Sequence, residues 1–209
     1  MIAIIRHGRA VGNSEHRFIG WSDVPLDATG EAQSERVAPR LAEAGIERIV
    51  SSDIRRAVQT AAPLARLTGL DVETDRRLRE IDNGEWTGLT PDQISARWPD
   101  LWASYVGGTD VHRPRGERWV DVRRRIVEAL EEMGADGRPT VAITHAGPIL
   151  LAAAWALKIG LPGNIFTGPL AIAGNTSVTT VEAGKLVCYA DAGHLGSVPG
   201  LDIPYEPVE

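Results

Sequence analysis

The chain opens on an unbroken apolar run, "IAII", that stops at Arg6-His7-Gly8. A short continuous run of this kind is the pattern of a strand buried on both faces. It predicts a strand over 2–6. A polar, turn-rich loop follows over 13–30, and then a helix over 30–44 with Ala32, Val37 and Leu41 inward, weakened by Pro39 and stopped by Gly45. "IERIVSSD" at 46–53 predicts a second strand. The next segment, 54–68, carries Ala57, Ala61, Leu64 and Leu67 on one helical stripe, with Pro63 expected to kink or shorten it. A short helix over 91–98 precedes a proline- and glycine-rich stretch at 99–116, the longest without a clear element and the natural place for a lid or specificity insert. A helix over 117–133 is expected to turn Val120, Ile126, Val127 and Leu130 inward. "PTVAITHAGPIL" at 139–150 then repeats the opening design, an apolar strand followed by His and Gly, and leads into a helix over 148–159. "TSVTTVEAGKLVCYA" reads as a hairpin turning at Ala183-Gly184.

Strands alternating with helices predict an α/β fold: one domain over 1–209, a three-layer α/β/α sandwich around a mostly parallel sheet. In such sheets ligands bind beyond the carboxyl ends of the strands. Arg6-His7-Gly8, Ser51-Ser52-Asp53 and Thr144-His145-Ala146-Gly147 all stand at those ends. Two imidazoles and an arginine converging there would form an electropositive pocket. Gly8 would let the backbone come close or take an unusual dihedral.

Composition narrows the chemistry. A net charge of −6 speaks against a general nucleic-acid surface or an anionic membrane as partner. The basic residues are nearly all arginine, whose planar fork suits bidentate contact with phosphate. The single Cys188 rules out an intrachain disulfide and a thiolate cluster, and its alternating segment makes it an inert strand residue. There is neither a signal-peptide pattern nor an 18-residue apolar run, so the expected compartment is the cytoplasm. A P-loop and a dinucleotide fingerprint are both missing, so no nucleotide cofactor is indicated.

The anion suited to His7 is a phosphoryl group, with the imidazole as nucleophile and arginines on the nonbridging oxygens. The leaving oxygen then needs a proton, and Glu80 in "RLREIDNGEWTG" is the best local donor, its pKa expected to rise beside a phosphate dianion. A divalent ion held by His7, His145 and Asp53 competes with this reading. Arg6 beside the candidate ligand disfavours a cation, and no metal is expected. Of the tryptophans, Trp21, Trp86 and Trp102 are candidates for the pocket entrance.

In order along the chain, "RHG" at 6–8, Asn13, "GWSDVPLDATG" at 20–30, "SSDIRRAVQTA" at 51–61, "LREIDNGEWTG" at 78–88 and "THAG" at 144–147 resemble the histidine phosphatase superfamily, which also contains the cofactor-dependent phosphoglycerate mutases. The resemblance implies a phosphoglycerate mutase-like fold and a phosphohistidine on His7. It implies that Arg6, Arg56 and His145 hold the phosphoryl oxygens with help from Asn13, and that Glu80 serves as proton donor and then as base. Ser14 or Ser52 would assist. Arg56 enters through the resemblance alone.

The family's mutases carry a longer insert with adjacent arginines and a lysine. The interval from Glu80 to His145 here is short and lacks lysine, although Arg113 and Arg115 could reach a second anionic group. "PRGERWVDV" resembles the P-x-G-E-S region of the phosphatase branch, with Arg118 in place of serine. The expectation is a phosphatase of the histidine acid phosphatase type acting on a small phosphorylated metabolite. A mutase and a noncatalytic phospho-ligand or phosphoprotein binding module are the alternatives, and a homodimer is the family-weighted expectation.

Overall fold

The computed structural model describes residues 1–12, 17–160 and 168–196. Six strands form one sheet in the order β3-β2-β4-β1-β5-β6. They are β1 (Ile2–Arg6), β2 (Arg48–Ser51), β3 (Val72–Thr74), β4 (Thr140–Thr144), β5 (Val178–Glu182) and β6 (Lys185–Asp191). The pairs β3·β2, β2·β4 and β4·β1 are parallel, while β1·β5 and β5·β6 are antiparallel. The sheet is therefore mixed, parallel in its centre and closed on one side by the hairpin.

β1 and β4 are buried along their whole length, and their alternate residues feed two cores. Ala3, Ile5, Ile49, Val141 and Ile143 pack beneath α1 (Ala28–Glu43) and α2 (Arg55–Thr68). Ile2, Ile4, Val50 and Ala142 pack on the other face, beneath α5 (Trp119–Ala135) and α6 (Ala146–Ala156). This is the three-layer arrangement expected from the strand–helix alternation.

Some sequence expectations change. The inward face of α1 is Gln33, Ser34, Val37, Ala38 and Leu41, and Ala32 is exposed. Two polar residues replace it: Gln33 Oε1 accepts from the Arg9 amide in the loop after β1, and Ser34 Oγ donates back to the Gly30 carbonyl of its own helix. Leu67 and Val120 are also exposed, since Leu64, Trp119 and Val122 already fill the faces that meet the sheet. Neither Pro39 nor Pro63 ends its helix. Helix α6 starts at Ala146 rather than 148, directly after His145.

The stretch at 99–116 is not without structure. Helix α3 (Pro91–Arg97) is followed at once by α4 (Pro99–Val106), each with proline in its first turn, where the missing N–H is no loss. Together they cap a small separate core of Trp86, Ile94, Tyr105 and Val111. Trp86 is fully buried and meets Phe18, Trp102 and Tyr105 edge-to-face, with centroids 5.7, 5.9 and 5.4 Å away. Trp86 and half-buried Trp102 are thus cap core rather than pocket entrance. Truncation by Trp86→Ala should destabilise the protein by about 3–5 kcal/mol, read as a lower urea midpoint. An unchanged midpoint would mean that the cap does not depend on this cluster.

Candidate active site

The parallel strands β1, β2 and β4 end side by side, and the residues just past them meet. The rings of His7 and His145 lie 5.0 Å apart at 60°. Both are buried, as are Arg6 and Arg56. The loop after β1 can pass so close to α1 because both backbones lack a Cβ: one added at Gly8 would lie 2.5 Å from the Gly30 carbonyl oxygen. The glycine thus serves close approach, not an unusual dihedral.

Arg56, in the first turn of α2, connects the parts. Its Nε donates to His7 Nε2 at 3.2 Å, and its Nη2 lies 3.1 Å from His145 Nδ1. Nη1 donates to the Ser22 carbonyl and Nη2 also to the Gly20 carbonyl. Arginine can only donate, so both contacted ring nitrogens must be unprotonated acceptors. The tautomers follow. His7 carries its proton on Nδ1 and gives it to the Gly8 carbonyl at 2.7 Å, leaving the Nε2 lone pair directed at the guanidinium. His145 carries its proton on Nε2 and gives it to Ser52 Oγ at 2.9 Å.

Charge agrees with this geometry. Burial first, then the Arg56 guanidinium, pushes both histidines well below their ordinary value, so both are neutral at pH 7. Burial also draws Arg56 down to about 10, against the opposing pull of Glu80, and it remains a cation. A neutral imidazole with one free nitrogen beside two fixed guanidiniums can attack an electrophilic anion. It cannot compete as well for a metal cation. Among the described residues no group of three or more His, Cys, Asp or Glu could hold a metal ion. Asp53, the third member of the competing metal set, is taken by both arms of Arg79 at 2.6 and 2.5 Å.

Glu80 is brought to the same place from the far side. Its Oε1 accepts from the Ile81 amide at 3.0 Å and its Oε2 from the Gly147 amide at 3.3 Å, in the first turn of α6. Its backbone carbonyl is held by Trp21 Nε1 at 2.6 Å and Arg125 Nη2 at 2.8 Å. Trp21, under the Arg79 guanidinium, is thus a support for Glu80.

The structure does not bring Arg113 and Arg115 into this set. Arg113 is buried in the cap, its guanidinium 5.5, 5.4 and 5.0 Å from the rings of Trp86, Tyr105 and Trp119. Aromatic faces substitute for an anion there. Arg115 is exposed and paired with Glu85 at 3.0 Å. Asn13 and Ser14 lie outside the described residues.

Two supports escaped the sequence reading. Thr60 Oγ1 accepts from the Gly8 amide and donates to the Arg56 carbonyl, coupling the loop after β1 to the start of α2. The loop 173–177 binds Arg6 and His7: Arg6 Nη1 donates to the Ala173 carbonyl at 2.7 Å, and Asn175 Nδ2 donates to the His7 carbonyl at 2.8 Å. A signal for the second was present. β5 runs antiparallel to β1, so the loop before it lies at the same sheet edge as the loop after β1.

Residues 2–187 match the model of the histidine phosphatase superfamily (branch 1). The chain belongs to that family. It is 36% identical to the mycobacterial glucosyl-3-phosphoglycerate phosphatase Rv2419c, with a TM-score of 0.73 over 85% of this chain and 87% of that one. Bacillus stearothermophilus YhfR gives a TM-score of 0.82 at 29% identity, over 92% of this chain and 98% of that one. A probable phosphoglycerate mutase GpmB of Escherichia fergusonii is 34% identical over 165 residues, 77% of this chain and 75% of its own length. Among the described residues no helix is long and apolar enough to cross a membrane.

The two buried neutral imidazoles generate a pH dependence of stability. Below about pH 6.5 the unfolded chain protonates His7 and His145 while the folded one does not. Stability should therefore fall as pH drops from 7.5 toward 5, with a limiting slope of about 1.4 kcal/mol per pH unit for each. His194, drawn to about 4 by burial, acts in the same direction. Urea unfolding across this range should show the loss, and His145→Gln should make it shallower. A midpoint that is level or rises on acidification contradicts the assignment of neutral rings.

Proposed function

We propose that this family member is a metal-independent phosphomonoester hydrolase working through a phosphohistidine on His7, with a small phosphorylated metabolite as substrate. The observation that carries the reading is the unprotonated Nε2 of His7, its tautomer fixed by the Nδ1 bond to the Gly8 carbonyl and its lone pair accepting from Arg56 Nε at 3.2 Å.

In this reading Arg6, Arg56 and His145 hold the nonbridging oxygens, with Asn13 assisting. The His7 Nε2 lone pair attacks phosphorus, and the bond from phosphorus to the ester oxygen breaks. The departing oxygen takes the proton of the Glu80 carboxyl, so an alcohol leaves rather than an alkoxide. The Glu80 carboxylate then takes a proton from water, whose oxygen attacks the phosphohistidine. Inorganic phosphate leaves and Glu80 is again protonated. The two guanidiniums act where charge is concentrated throughout the transfer.

Hydrolysis is favoured over mutase transfer by the placement of Arg113 and Arg115. A mutase retains a small polyanion while it reorients, which requires further cations facing the site. Arg113 is turned into aromatic rings and Arg115 is paired with Glu85. The phosphatase named among the similar structures supports the same choice, and the mutase GpmB is the opposing likeness.

Phosphate release from a panel of phosphomonoesters in chelating buffer tests the proposal. His7→Ala should abolish turnover. Glu80→Gln should lower kcat/KM by about 10²–10⁴ for sugar and glycerate phosphates, and much less for p-nitrophenyl phosphate, whose leaving group needs no proton. Release that survives His7→Ala, or isomerisation of bisphosphate-primed 3-phosphoglycerate faster than phosphate release, overturns it.

A further inference from the structure

The C-terminal turn Gly193–Leu195 lies far along the chain from β1, yet it is tied to the loop that holds Arg6 and His7. His194 Nε2 lies 3.2 Å from Thr176 Oγ1, and His194 Nδ1 lies 3.5 Å from Arg40 Nη1 on α1. Arg40 Nη2 is in turn fixed by Asp191 at 2.5 Å. The proton positions are determined. Thr176 Oγ1 donates to the Asn175 carbonyl, so toward His194 it can only accept. His194 is therefore the Nε2–H tautomer, donating to Thr176 and presenting Nδ1 to the arginine.

Thr176 is the strained member of this chain of contacts. It is buried, with φ at 55°, in the left-handed region that β-branched residues rarely enter. Its amide donates to the Arg6 carbonyl at 3.0 Å, and the Arg6 amide donates to the Ser177 carbonyl at 3.4 Å. With Ala173 on the Arg6 guanidinium and Asn175 on the His7 carbonyl, one five-residue loop sets both residues. Strain of this kind persists only where the surroundings impose it, and it gathers at functional sites.

We propose that His194 is a positioning residue for Arg6 and His7, acting through Thr176; the inference rests on the phosphoryl-binding role read for those two residues. Arg40 and Asp191 fix His194 from α1 and the end of β6, and the Nε2–H bond keeps Thr176 in its left-handed conformation. The loop then carries that geometry to the catalytic edge of the sheet. Nothing in the chain of contacts requires His194 to touch substrate.

Two readouts test this. Hydrogen exchange of the Arg6 and Thr176 amides should accelerate in His194→Leu and return toward wild type in His194→Gln, whose amide can donate to Thr176. Affinity for inorganic phosphate and orthovanadate, measured well below the melting temperature, should weaken in His194→Leu by on the order of ten- to a hundredfold, and recover in His194→Gln. Thr176→Gly takes the left-handed conformation without strain and removes the acceptor, so His194→Leu should add nothing further in that background. A variant that lowers only the melting temperature, with exchange and phosphate affinity unchanged, overturns the proposal, as does an equal effect of His194→Leu with Thr and with Gly at 176. If His194→Leu fails to fold, His194→Gln and Thr176→Gly still carry the comparison. Wild-type protein that binds phosphate but hydrolyses no ester sinks the phosphatase reading and leaves this one standing. Protein that does not bind phosphate still reports through exchange.

Discussion

The site depends on one buried cation. Arg56 sits in the first turn of α2, where the helix dipole disfavours positive charge, and it is almost removed from solvent. Each circumstance alone disfavours a guanidinium. What offsets them is four acceptors: two carbonyls from the loop at 20–22 and one ring nitrogen from each histidine. Removing any acceptor would leave a buried donor unpaired. The cation and the two neutral imidazoles therefore hold one another in a single arrangement.

That arrangement sets the chemistry. Because Arg56 occupies the accepting nitrogens, neither histidine can be protonated there without losing the bond, and burial opposes protonation as well. A phosphoryl group approaching His7 offers oxygens to the same guanidinium, so charge pairing with the ligand can replace pairing with the ring. Glu80 works from outside the cation cluster. It is fixed by amides and by the two donors on its carbonyl, at the opening turn of α6. His7 follows β1 and Glu80 lies in the loop after Arg76–Leu78, so the two segments approach only through the fold.

Much of this was legible from local pattern. The runs at 2–6 and 140–144 announce buried strands, and histidines immediately after them must share an edge once the strands are parallel neighbours. Glu80 was legible from its arginine-rich approach and the glycine loop beyond it. Arg56 was not, because an arginine on a helix normally reads as solvated; the family likeness picked it out, and only the fold shows it turned inward. The helix faces were misread where polar side chains displaced apolar ones, as Gln33 and Ser34 did Ala32. There the backbone amide of Arg9 had to be satisfied by Gln33, while the small Ser34 hydroxyl turns back onto its own helix. Helix α4 was obscured by proline at its first position and glycines after its end, which punctuate a helix as readily as they mark a loop.

By itself, then, the sequence determined the layer architecture, the sheet edge that bears the chemistry, and the residue types converging on it, because these follow from hydrophobic period and strand order. The tertiary structure decided what each arginine meets. Arg56 faces the histidines, Arg113 is enclosed by aromatic rings, and Arg115 and Arg79 are neutralised by Glu85 and Asp53. All four look alike in the chain. What separates them is the partner each meets across long sequence distances, because a guanidinium paired with a carboxylate has its charge already answered.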